Sequence, residues 1–270
     1  MAESIAYNCD CMEYMRTLPD NAFDLAVVDP PYGDGCSQSV QVERERERER
    51  ESSPPSAART SKERPTAGRN MGLREMASGG TASDRGSTAT KSGADGCART
   101  GGTWAEKYGK KIIAWDVAPE KEYFQELFRV SRNQIIWGGN YFALPPTRCF
   151  LVWRKLSISE SFSMAMAEYA WTSFNGNAKV FEKTPQGDPN DPRFHPTSKP
   201  IQLYDWIFAN YAKHGDRILD THLGSGSSRI AAYNAGLDFV GCEIDETYFR
   251  LQEERFARYS AQLNFFNEEV

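Results

Sequence analysis

The chain has 270 residues, 40% of them hydrophobic and 12% aromatic, enough for one large α/β domain or two small ones. Its net charge of −5 excludes a protein that simply coats nucleic acid, and leaves room for one that grips it through a local patch. No run of 18 apolar residues and no basic, apolar leader is present, so neither a membrane span nor a signal peptide is expected.

In chain order, Leu25-Ala26-Val27-Val28-Asp29 reads as a buried parallel strand that ends in turn residues. Composition then breaks. From Gly33 to Thr103 there is no Phe, Trp or Tyr, and residues 34–103 hold 12 Lys or Arg against 10 Asp or Glu. The stretch opens with a Glu-Arg repeat over 43–51 and continues rich in Ser, Thr, Ala, Gly and Pro. Such a composition does not offset the entropy of ordering, so a low-complexity surface insertion is expected. Its arginines leave a phosphate-contacting role open.

Beyond the insertion, a helix begins near Pro119 with Phe124, Leu127, Phe128 and Val130 on one face. Gln134–Trp137 and Phe150–Trp153 are buried strands, and Glu168–Thr172 alternates like an antiparallel edge strand. Ser198 is placed to cap a helix with Pro200 in its first turn, running to about Ala212. Arg217–Asp220 is a strand, followed by a Gly-rich turn and a helix from about Ser227 to Ala235. Phe239–Glu243 is another strand, before a last helix carrying Phe249, Phe256 and Tyr259. Strands alternating with helices predict a doubly wound α/β sheet, whose ligands bind at the carboxyl ends of the strands. Asp29, Asp220 and Glu243 all fall at such ends.

Two motifs carry chemistry. In Asp29-Pro30-Pro31-Tyr32, a carboxylate and the Pro30 carbonyl can accept the two N–H groups of an exocyclic amine and draw its nitrogen toward tetrahedral geometry. Proline fixes φ and brings no competing N–H. Tyr32 offers a ring on which a base taken out of its stack can lie. A polar turn after a strand is the plain alternative. In Asp220-Thr221-His222-Leu223-Gly224-Ser225-Gly226-Ser227, two glycines admit a ligand close to the backbone at a helix N-terminus. Glu243, 23 residues after Asp220, is an acid suited to a ribose diol. Arg229 stands where a dinucleotide fingerprint has its third glycine, which disfavours a nicotinamide oxidoreductase. Cys9, Cys11, Cys36, Cys97, Cys149 and Cys242 form no C-x-x-C pair, and His195, His214 and His222 are dispersed, so a reduced, metal-free protein is expected.

Together these motifs resemble the S-adenosylmethionine-dependent DNA amino-methyltransferases. The order, catalytic motif before cofactor motif, resembles their β class, a circular permutation. Asn8-Cys9-Asp10-Cys11, His195-Pro196-Thr197-Ser198-Lys199-Pro200 and Trp137-Gly138-Gly139-Asn140-Tyr141-Phe142 are similar to further family segments, the last to phage-like members. The resemblance covers all but residues 34–103. It implies a Rossmann-like methyltransferase sheet and S-adenosyl-L-methionine as cofactor. It assigns catalysis to Asp29, Pro30, Pro31 and Tyr32. Asp10 and Cys11 would line the adenine pocket and Glu243 would hold the ribose. Asp29, Asp220, His222, Gly224, Ser225, Gly226, Ser227, Ser198, Lys199 and Pro200 would surround the methionine end, with Lys199 facing its carboxylate. The family often has Pro-Phe where this chain has Thr221-His222; His222 is read as a neutral residue in the place of the Phe.

The resemblance divides the chain into a catalytic half (1–33 with 104–140), the insertion (34–103), further strands with a recognition region (141–198) and a cofactor half (199–270). Double-stranded DNA is the expected partner, a homodimer the expected state, and a prokaryotic or phage-encoded cytoplasmic protein the expected setting. Arg148, Arg154, Lys155, Lys179, Lys183 and Arg193 are candidates for DNA contacts, and Arg193→Ala is expected to weaken DNA binding more than cofactor binding. No cysteine follows a proline, which disfavours cytosine-C5 chemistry. The motif leans to adenine N6, with cytosine N4, an RNA amine and a non-catalytic DNA-binding regulator as alternatives.

Overall fold

A computed structural model describes residues 2–33, 117–160, 165–185 and 191–267. All belong to one compact unit, Met1–Ser39 with Thr100–Val270. The insertion expected over 34–103, with its Glu-Arg repeat, lies outside the described residues.

Eight strands form one sheet: β1 (Ser4–Asn8), β2 (Phe23–Val28), β3 (Ser131–Trp137), β4 (Phe150–Arg154), β5 (Ala167–Thr172), β6 (Lys179–Glu182), β7 (Arg217–Asp220) and β8 (Asp238–Glu243). Their order across the sheet is β1-β8-β7-β2-β3-β5-β4-β6. All neighbouring pairs run parallel except β5 against β3 and against β4. Five helices accompany the strands among the described residues: α1 (Cys11–Arg16), α2 (Lys121–Val130), α3 (Ile201–Tyr211), α4 (Ser227–Asn234) and α5 (Glu246–Asn267).

Because side chains alternate along a strand, the continuous apolar runs of the central strands feed two cores at once. Leu25, Val27, Ile135, Trp137 and Ile218 pack on one face under Leu203, Ile207 and Phe208 of α3 and Ala231 and Ala232 of α4. Ala26, Val28, Ile136 and Leu219 pack on the other under Met15 of α1 and Tyr123, Phe124, Leu127 and Val130 of α2. Helices on both faces make the sheet doubly wound. The chain steps from β2 outward to β3 on one side, while β7, β8 and β1 lie on the other. The crevice at this reversal is where such sheets bind ligands.

Two expectations are corrected. Glu168–Thr172 lies in an interior strand, paired with both β3 and β4, and Ala170, Trp171 and Thr172 are buried. Ser198 does not cap α3; Pro200 holds the cap position without a side-chain hydrogen bond, and the Ser198 hydroxyl turns to Ser225.

Candidate active site

The carboxyl ends of the strands open into a cleft of about 840 Å³. It gathers Asp10, Cys11, Asp29–Tyr32, Ser198, Lys199, His222, Gly224, Ser225, Ser227 and Glu243 on its walls. Pro200, Asp220 and Gly226 stand behind the wall.

At one end, Asp29 follows the last residue of β2, and Pro30 and Pro31 prevent the strand from continuing. Both carboxylate oxygens are engaged. Tyr32 donates its hydroxyl to Oδ1 at 2.8 Å, and Lys199 Nζ donates to Oδ2. The Lys199 ammonium also lies 3.2 Å from Glu168 Oε2 and sits over the Trp137 ring at 5.3 Å. Glu168 Oε1 is in turn 2.6 Å from Lys155 Nζ. Burial pushes the Asp29 carboxyl up against the pull of Lys199. Glu168 is held below the usual carboxylate range: burial works against ionisation, but the ammonium groups of Lys199 and Lys155 outweigh it. Lys199 is pushed up because Asp29 and Glu168 together outweigh the cost of its burial.

The Tyr32 ring stacks on Tyr141, with centroids 4.7 Å apart and planes 13° from parallel. Gly138 presses against its edge: a Cβ there would fall 2.0 Å from the ring, and φ is +68°. Glycine is required on both grounds.

At the other end, Glu243 closes β8 and binds the neighbouring loops. Its Oε2 accepts the Gly224 N–H at 2.7 Å and its Oε1 the Asp245 N–H at 2.9 Å. Lone pairs remain for a diol. Ile244 beside it is 65% exposed at the cleft, an apolar surface for a planar ring. Asp220 accepts from Ser228 Oγ at 2.5 Å and from the His222 N–H at 3.0 Å, fastening the Gly-rich turn to α4. Burial pushes its carboxyl up to about 7. Gly224, at φ +52°, lets the His195 ring approach to 3.2 Å of where a Cβ would stand. Ser198, Ser225 and Ser227 link hydroxyl to hydroxyl, and Arg255 donates to the Ser225 carbonyl and to Ser227 Oγ. Asp10 caps α1 by accepting the Met12 N–H at 2.7 Å, and burial pushes the Cys11 thiol up to about 12. His222 packs edge-on against Tyr123, and burial pushes its imidazole down to about 4, so it is neutral near pH 7. A carboxylate with free lone pairs, an exposed apolar face and a hydroxyl cluster at a helix N-terminus fit an adenosyl amino acid. Arg229 pairs with Glu253 at 2.6 Å and packs over Phe256, a structural post behind the loop.

Several residues are occupied otherwise than expected. Lys199, expected at a methionine carboxylate, is buried between Asp29 and Glu168. Lys155 is 7% exposed and lies inside the cleft, not on an outer DNA-facing surface. Arg193 also lines the cleft, and its guanidinium donates to the carbonyls of His195, Pro196 and Ser198. Arg148 bonds Asn177, Arg154 pairs with Glu182, and Lys179 bonds Asn210, all outside the cleft. Glu168, Tyr141 and Ile244 were not singled out from the sequence. Glu168 carried a signal: it shares the face of Ala170 and Thr172, and an acid in a buried register requires a cation.

Among the described residues no group of His, Cys, Asp or Glu is arranged to hold a metal ion. None of their helices is long and apolar enough to cross a membrane.

The sheet and its cleft define a Rossmann-like α/β protein with its ligand site at the topological reversal. The sequence pattern of the DNA methylase family, of N6/N4 type, matches residues 101–254, more than half of the chain, and the chain belongs to that family. The type II methyltransferase M2.DpnII of Streptococcus pneumoniae is 36% identical over 61 residues, 23% of either chain. M2.LlaDCHI of Lactococcus lactis subsp. cremoris is 33% identical over 61 residues, again 23% of either. The matched stretch thus spans about a quarter of the length of these curated relatives. Among solved structures, the M1.HpyAVI–SAM complex aligns over 94% of this chain and 100% of that one, with 17% identity and a TM-score of 0.44. A DNA modification methylase of Thermus thermophilus, TTHA0409, solved in complex with S-adenosyl-L-methionine, aligns over 94% and 95%, with 14% identity and a TM-score of 0.44.

Proposed function

We propose that the chain transfers the methyl group of S-adenosyl-L-methionine to the N6 amine of an adenine flipped out of double-stranded DNA. The observation that carries this reading is the meeting, in one cleft, of Asp29-Pro30-Pro31-Tyr32 with the Gly224–Ser227 turn and Glu243. The cofactor supplies an electrophilic methyl group. Glu243 accepts the ribose hydroxyls, and Ser198, Ser225 and Ser227 take the amino-acid end. Asp29 and the Pro30 carbonyl accept the two amine hydrogens and hold the nitrogen lone pair in line. Unstacking the base costs a few kcal/mol, offset by aromatic contact at Tyr32 and Tyr141 and by hydrogen bonds in the cleft. In this reading residues 141–198 recognise the target, residues 199–270 form the cofactor half, and a homodimer extends the DNA surface.

The family spans N6 and N4 amines, so the product decides the base. Purified protein is incubated with unmethylated DNA and methyl-labelled cofactor, the DNA is digested, and the labelled nucleoside is identified by mass spectrometry. Label in N6-methyldeoxyadenosine is expected. Label in N4-methyldeoxycytidine would overturn the base assignment and keep the chemistry. No label in DNA, with cofactor binding intact, would overturn the substrate and favour an RNA amine or a non-catalytic regulator.

A further inference from the structure

The reaction just described uses Asp29 and leaves three buried charges beside it without a task. They form a chain: Lys155 on Glu168 at 2.6 Å, Glu168 on Lys199 at 3.2 Å, and Lys199 on Asp29. Glu168 comes from β5, the strand that runs against its neighbours, and Lys155 follows the last residue of β4. We infer that Lys155 and Glu168 are positioning residues which act through Lys199 to fix the orientation and charge state of Asp29. The consequence for turnover rests on the methyl-transfer reading; the linkage itself rests on geometry alone.

The Lys199 ammonium has three N–H groups. Asp29 and Glu168 take hydrogen bonds or ionic contact from it, and the Trp137 face lies 5.3 Å away. It is therefore a fixed bridge between two carboxylates, not a free counter-ion. Its grip on Asp29 Oδ2 leaves Oδ1, already oriented by Tyr32, as the oxygen facing the remaining cleft. With Lys155 present the four charges balance, two positive and two negative. A buried ion pair is seldom the most stable filling for its space, so a pure packing role is a poor account of two in series. The other titratable groups around Asp29 are Tyr32 in its own loop, Tyr204 on α3 and Asp220 at the end of β7. None of them is altered by changing Lys155 or Glu168.

The two outer members carry opposite charges, so their removal has opposite effects. Glu168→Gln removes a negative neighbour and leaves Lys199 to Asp29 alone, favouring the Asp29 carboxylate. Lys155→Met leaves Glu168 with Lys199 as its one partner in the chain, drawing the ammonium away and favouring the protonated acid. Asp29 is followed by 13C NMR of side-chain carboxyls in Asp-labelled full-length protein, its resonance identified by its loss in Asp29→Asn. The midpoint is expected to fall in Glu168→Gln and to rise in Lys155→Met, each by about half a pH unit or more. Lys155→Arg, which keeps the charge, is expected to restore the parent midpoint. Lys155→Gln replaces Lys155→Met if the latter does not fold. The acidic limb of single-turnover methylation is expected to move in the same two directions. Midpoints that stay put, or move together, overturn the linkage. Midpoints that separate while the limb stays fixed overturn the positioning role. A parent that transfers no methyl group overturns the function proposed above, and the carboxyl titration still judges the linkage.

Discussion

His222→Phe restores the residue that related sequences often carry at this place and isolates one electrostatic contribution to stability. Burial lowers the folded imidazole from its ordinary 6.5 to about 4, with Asp10 opposing. Below 6.5 the unfolded chain binds the proton and the folded one does not. His222 therefore costs stability progressively as pH falls from 6.5, and the cost levels off below about 4. At about 1.4 kcal/mol per pH unit, the loss is about 2.5 kcal/mol near pH 4.5 and close to nil near pH 7. Phe keeps the ring contact with Tyr123 but gives up the hydrogen bond between His222 Nδ1 and Thr221 Oγ1 at 2.9 Å. That loss is worth about 1 kcal/mol, since Thr221 retains the Tyr123 hydroxyl. The variant is thus expected to be about 1 kcal/mol less stable than the parent near pH 7 and about 1.5 kcal/mol more stable near pH 4.5. His195, pushed down to about 3 by burial, adds its own acid loss to both proteins. Asp220, pushed up to about 7, favours folding below its ordinary 3.8 and withdraws that support as pH rises, again in both. Urea unfolding at the two pH values reads the difference directly. A variant-to-parent difference that does not change with pH would refute the reasoning.

Three further substitutions address the cleft. Gly138→Ala places a methyl group 2.0 Å from the Tyr32 ring at a φ of +68°. It is expected to cut single-turnover methylation by about tenfold or more through displacement of that ring, at a stability cost of about 1–2 kcal/mol in urea unfolding. Glu243→Gln removes a charged acceptor of two backbone N–H groups and of the proposed ribose diol. Calorimetry is expected to give cofactor affinity lowered by about 10–100-fold with DNA affinity unchanged. Arg193→Ala releases the carbonyls of His195, Pro196 and Ser198. The expected result is now the reverse of the one drawn from its charge alone: cofactor affinity falls by about tenfold, and DNA affinity changes less.

The central strands were legible because parallel strands covered on both faces read as unbroken apolar runs, as Leu25–Val28 and Ile218–Leu219 do. β1 and β6 are edge strands with mostly part-buried or exposed residues, so Ser4–Asn8 and Lys179–Glu182 offered no run to read. β5 was assigned to an edge because Glu168 interrupts its apolar pattern. The interruption is functional in origin: the acid reaches the cleft and finds Lys155 and Lys199. The same reason hid half of the candidate site. Asp29–Tyr32, the Gly224–Ser227 turn and Glu243 are local motifs whose chemistry is written in consecutive residues. Lys155, Glu168 and Lys199 become partners through tertiary packing alone, and spacing along the chain carries no trace of that. Lys199 was visible as a cation in a familiar segment, but its partner was assigned by likeness, and the nearest carboxylate proved to belong to the protein.

This changes how the cleft divides its charges. Burial makes Asp29 a strong acceptor for an amine hydrogen, because few waters compete, and the same burial favours its protonation. A protonated Asp29 loses one acceptor site and cannot pair with the amine as a carboxylate does. Lys199 offsets that cost from the side away from Tyr32, and Glu168 with Lys155 keeps Lys199 there. Since Lys199 is held by two carboxylates, an anionic group at the other end of the cleft is left to the N-terminus of α4, the Ser198, Ser225 and Ser227 hydroxyls, and Arg255 behind them. The two ends then act by separate means: fixed dipoles and hydroxyls for the ligand that must leave after each cycle, and a neutral, buried quartet for the carboxylate that must stay ionised throughout.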